Sequence, residues 1–128
     1  MEFAIIMIPL LIIVFGIVEF GIAFSKVNVY TGAAREGARF VAVRCAPSTP
    51  CTSGNLETRV INASAGYPIG PGTPTSTIDG SPGFCTAGTV GQEVTVSWNQ
   101  DITVDIPFVP GLNPATFTRN VKGVFRCE

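Results

Sequence analysis

Sixteen consecutive residues, Phe3 to Val18, carry no charge, and the apolar character continues to Phe24. No other feature constrains the fold as much. As a helix, Phe3 to Ser25 is about 35 Å long at ~1.5 Å per residue, enough to cross a bilayer. Three residues fit poorly with a plain anchor: Glu2, Pro9 and Glu19. An ionisable side chain inside a membrane segment costs about 2.5 kcal/mol or more, so it turns toward protein and finds a partner. Pro9 withholds an N–H and clashes one turn back, which predicts a break or bend within a turn of it. Gly16 and Gly21 weaken the helix further. Nor does the segment suit a secretory signal, because Glu2 stands where a basic residue belongs and "IVEFGIAF" follows Gly16 in place of a small-residue cleavage site. A helix that leaves lipid to pack among copies of itself uses all five of these residues.

The helical pattern runs past the apolar run. Val27, Tyr30, Ala34, Ala38 and Val41 recur at three- and four-residue steps, with Asn28, Arg35 and Arg39 on the other side. A helix reaching Val43 is about 65 Å long. Ala33/Gly37, Ala34/Ala38 and Ala38/Ala42 are small residues four apart, a spacing that lets backbones approach closely. Two readings stay open for them: contact with a neighbouring copy, or packing of the helix onto its own head.

The remaining 83 residues are rich in Gly, Pro, Ser and Thr and predict a separate small unit. The chain therefore divides into a long helix over 1–44 and a head over 45–128. A head of about 80 residues buries only about 60% of its unfolded surface and needs staples or partners. Cys45, Cys51, Cys85 and Cys127 can supply two disulfides. Four cysteines permit three pairings. A Cys45–Cys51 bond closes the turn "CAPSTPC", and the inward position of Cys127 on its strand favours Cys85 as its partner. "SGNLETRVINASAGYP" predicts a short helix capped by Ser53 or Asn55, with Leu56, Val60 and Ala63 inward. Residues 67–83 hold four Pro, four Gly and five Ser or Thr, which predicts an exposed irregular loop. Period-two alternation then predicts three strands: Val94, Val96 and Trp98 inward in one, Ile102, Val104 and Ile106 in the next, and Phe117, Val121, Phe125 and Cys127 in the last. The fold class is α+β, a long apolar helix followed by a short helix and a small antiparallel sheet.

Catalytic and ligand-binding chemistry finds little footing. No histidine is present, which removes the commonest general base. Asp79, Asp101 and Asp105 lack the spacing of a calcium loop, and the glycines form no phosphate-binding motif. The cysteines lack the close pairs of a zinc site. A net charge of −1 gives no basic surface for nucleic acid. The expectation is a non-enzyme with no cofactor and no metal.

Three stretches carry a resemblance: "EFAIIMIP" from Glu2 to Pro9, "FGIVEFG" from Phe15 to Gly21, and "AAREGAR" from Ala33 to Arg39, with "VFRCE" at Val124 to Glu128 similar to a closing strand. They resemble the TadE-like pilins and pseudopilins of the tight-adherence (Tad) branch of type IV pili. The resemblance implies a pilin-like subunit inserted in the inner membrane, cut by a prepilin peptidase, handled by pilus assembly machinery, and polymerised helix inward into an extracellular adhesive filament. It implies assembly roles for Glu2, Pro9, Gly16, Glu19, Gly21, Ala34 and Ala38, with Glu2 as the acid near the processed terminus. Only Met1 precedes Glu2, which departs from the family's basic leader ending in Gly and places the expected cut elsewhere or before this sequence. The rival readings are a minor pseudopilin that initiates assembly and a single-pass membrane-anchored binding module whose 67–83 loop makes the contact.

Overall fold

The computed structural model describes residues 2–45, 51–106, 109–111 and 114–128. Helix α1 spans Glu2–Arg44 and helix α2 Ser53–Ala63. The strands are β1 Thr75–Ile78, β2 Ser81–Pro82, β3 Glu93–Val104 and β4 Ala115–Arg126. They form one antiparallel sheet in the order β2-β1-β3-β4. Both helices lie on one side of it, α1 against β3 and β4 and α2 against α1, so the fold is α+β. Residues 46–50, including Pro47 and Pro50, where the sequence predicts a turn, lie outside the described residues.

α1 runs through Pro9 as one unbroken element, which corrects the break expected there. Proline withholds a single donor, and the helix continues on both sides of it. The second half of the helix is the core of the head. Tyr30, Ala33, Ala34, Gly37, Ala38, Val41 and Ala42 are all buried, at the three- and four-residue steps of one face. Of the two readings of the small residues, the structure shows packing onto the chain's own head. Ala34 and Ala38 are 0% exposed and offer no surface to another helix.

What the small residues permit is contact between backbones. A Cβ added at Gly123 in β4 would lie 2.3 Å from the carbonyl carbon of Ala34 and 2.4 Å from the N of Arg35. Further along, the N–H of Glu128 donates to the carbonyl of Ala42 at 3.4 Å, so β4 runs beside α1 in the same direction.

The head departs from its expected outline in four places. α2 is capped by Thr52, in extended backbone, whose Oγ1 accepts from the N–H of Asn55 at 3.3 Å, and not by Ser53 or Asn55. Leu56 and Val60 are buried as expected, and Ala63 is half-buried. Residues 75–82, expected to be irregular, form the β1–β2 hairpin. Its turn residues Asp79 and Gly80 both have positive φ, 46° and 86°, the conformation that suits Asp-Gly in a two-residue hairpin. The inward position of this hairpin is partly polar, since Ser76 is buried and donates to the Gly83 carbonyl at 2.6 Å.

β3 is one strand of twelve residues, not two. The inward alternation continues through Gln100, which is 3% exposed. Its Oε1 accepts from Trp98 Nε1 at 3.0 Å and from the Gly70 N–H at 3.2 Å, and its Nε2 donates to the Pro68 carbonyl at 3.4 Å. Gln100 thereby ties the 67–72 segment to the sheet. Gln100→Leu should orphan both donors and cost about 1–3 kcal/mol; a urea midpoint equal to that of the wild type would show that these bonds contribute nothing.

β4 supplies the last difference. Val121, Gly123 and Cys127 face the core, but Phe117 is 55% exposed and Phe125 37%. Both keep the inward parity of the strand. Phe117 lies six residues before Gly123, about 20 Å back along the strand, and there α1 no longer lies on the sheet, since none of its described residues before Tyr30 is buried. The cysteines pair as Cys45–Cys51 and Cys85–Cys127.

Candidate functional site: the exposed apolar half of the first helix

The first half of α1 carries large apolar side chains on every side, and none of those described is buried. Phe3 is 76% exposed, Ile5 72% and Phe20 72%. By length and composition this helix can cross a membrane, and its apolar window has 0% of its residues buried within the chain. A soluble monomer does not leave a surface of this size bare.

The expected site residues fall into two groups. Pro9, Gly16, Glu19 and Gly21 lie in the free half. The backbone of Glu2 opens the helix, while its side chain lies outside the described residues. Ala34 and Ala38 lie in the docked half, as described above. Ile13, Gly16, Ile17, Phe20, Gly21 and Phe24 line a shallow apolar groove along one side of the free half. Gly16 and Gly21 are its notches, with no atom outside their own helix backbone within 4 Å of an added Cβ.

Glu19 lies on a different side. It is eighteen residues, about five turns at ~3.6 residues each, before Gly37. It therefore continues, toward the N-terminus, the side of α1 that docks on the head. Lys26 falls on that side as well. Among the described residues the ion pairs are Glu36–Arg39 and Glu36–Arg59, so Glu19 and Lys26 are unpaired within the chain.

The "AAREGAR" stretch divides its residues by direction. Ala33, Ala34, Gly37 and Ala38 face the sheet and α2, and Arg35 and Arg39 face solvent. Glu36 accepts from Arg59 of α2 through both Nε and Nη2. An exposed pair of this kind contributes about 0–1 kcal/mol and mainly orients α2 on α1. No sequence signal singled out Arg59. Gly123 did have one, since a lone glycine inside a strand marks a close approach of backbone.

Residues 1–39 match the family model for TadE-like protein. The TadE-like segment thus covers the whole free half of α1 and the small-residue face as far as Arg39, and it stops short of α2 and the sheet. Over these residues the chain is similar to TadE-like protein. No match was found among curated proteins or among solved structures. Among the described residues, no group of three or more His, Cys, Asp or Glu is placed to hold a metal.

Proposed function

We propose that the chain is a structural subunit of a Tad-type pilus, held in the inner membrane by α1 before assembly and packed by the same helix against copies of itself in a surface filament. One observation carries this reading: a single helix whose second half is consumed by its own head and whose first half, within the TadE-like segment, is apolar and bare all round. Lipid covers such a surface, and so do identical helices laid alongside it. The acid at Glu19 favours the second, because a carboxylate costs least where protein supplies a partner. In this reading the chain is not an enzyme. It is recognised by a prepilin peptidase and the assembly machinery, and the filament serves adhesion.

Fibres sheared from cells should contain this chain in bulk by mass spectrometry. Recovery from the membrane fraction alone would remove the filament reading, and trace recovery would assign the chain to initiation. Glu19→Lys should abolish fibres while leaving the melting of the head unchanged, because Glu19 lies outside the core. Fibres of normal yield from that variant would show the carboxylate to be dispensable.

A further inference from the structure

The two flanks of the head differ in a way the helix does not explain. β4 is the edge of the sheet, hydrogen-bonded to β3 on one side and to no strand on the other among the described residues. Twelve residues of free edge invite pairing with any exposed strand unless charge deters it. Arg119, Lys122 and Arg126 stand exposed along it with no acid between Ala115 and Arg126. Phe117 and Val124, 55% and 43% exposed, add apolar surface to the same flank.

The opposite flank carries acids instead: Glu57 on α2 and Asp79 in the β1–β2 hairpin, while Arg59 of α2 is held in an ion pair by Glu36. Asp79 sits exposed at the tip of the β1–β2 hairpin. Between that hairpin and α2 lies a cleft lined in part by Leu56, Pro74, Pro82 and Phe84, with Glu57 on its wall.

We propose that neighbouring heads pack flank to flank, the β4 edge of one copy against the α2–β1 cleft of the next. The occupant of each flank is a second copy of this chain, because one surface supplies cations and exposed apolar groups while the other supplies carboxylates and a recess. Two different surfaces meet, so the contact is heterologous. Repeated from copy to copy it builds an open filament, not a closed dimer. The proposal rests on the filament reading and extends it from the helices to the heads.

Lysines occur only at positions 26 and 122, which makes zero-length carbodiimide cross-linking of intact fibres a direct test. Multimers should carry an amide between Lys122 and Glu57 or Asp79. Within one chain β4 and β2 are three strand spacings apart, about 14 Å, so an amide from Lys122 to Asp79 in the β1–β2 turn marks two copies. Lys122→Glu should reduce fibre yield by about tenfold or more, since like charges then face one another across the contact. Adding Glu57→Lys to it should restore the yield. Fibres rich in this chain but lacking the link, with Lys122→Glu assembling normally, would overturn the flank contact alone. Lys122 linked only to a different protein would overturn it too and assign the β4 edge to that partner. Absence of the chain from fibres would overturn the filament reading and the flank contact with it.

Discussion

Gly123→Val should prevent α1 from seating on its own sheet. Even the first carbon of a side chain there would lie 2.3 Å from the Ala34 carbonyl carbon, and the obstacle is backbone, which cannot rotate aside. Overpacking of a tight contact costs about 1–3 kcal/mol, and a branched side chain between two backbones belongs at or above the upper end. With a melting shift of ~4 °C or more per kcal/mol for a small domain, the midpoint of the head should fall by about 10 °C or more. Circular dichroism of the full chain in detergent measures this directly. Gly21→Ala is the matched control. Nothing outside its helix lies within 4 Å of an added Cβ, so the head should melt as the wild type does. An unchanged midpoint in Gly123→Val would mean that helix and strand do not touch where the fold requires it.

Replacing Cys85 and Cys127 by Ser should be about as damaging, and more so than replacing Cys45 and Cys51. The two bonds close loops of unequal length, with sequence separations of 42 and 6. Loop-closure entropy assigns them about 4 and about 2 kcal/mol respectively. A small domain has only about 5–15 kcal/mol in all, so the first loss alone removes a large share. Urea unfolding of the two double-Ser variants would rank them. A larger loss at Cys45–Cys51 would place the stabilising constraint in the turn and not in the join between the segment before β3 and the strand after it.

Sequence alone revealed α1 because sixteen uncharged residues admit few alternatives. The small-residue face was equally visible, but not its partner. Spacing of four says that a backbone can approach, and only the position of Gly123 says which backbone does. β3 looked like two strands because Asn99, Gln100 and Asp101 interrupt the apolar alternation, whereas a buried glutamine with its bonds satisfied keeps the period intact. The β1–β2 hairpin was masked in the same way, by Ser76 at an inward position and by the prolines around it. Phe117 failed for another reason. Parity assigns a side of the sheet, but it is silent on how far along that side the covering helix extends. Of the site itself, the free apolar half was readable in advance, whereas Gly16 and Gly21 read only as weak points of the helix and not as notches in a groove. The charge contrast between the two flanks was not, because it exists only once the β1–β2 hairpin and β4 are known to lie at opposite ends of the sheet.

The parallel run of α1 and β4 has a consequence for biogenesis. Of the elements described, α1 is made first, yet β4, the strand that receives its alanines, and the cysteine that locks that strand are made after all the others. Until β4 is made, the docking face of α1 therefore lacks the strand it closes against. A chain arrested before its β4 residues should keep that face open to chaperones and proteases and be degraded instead of completing the head.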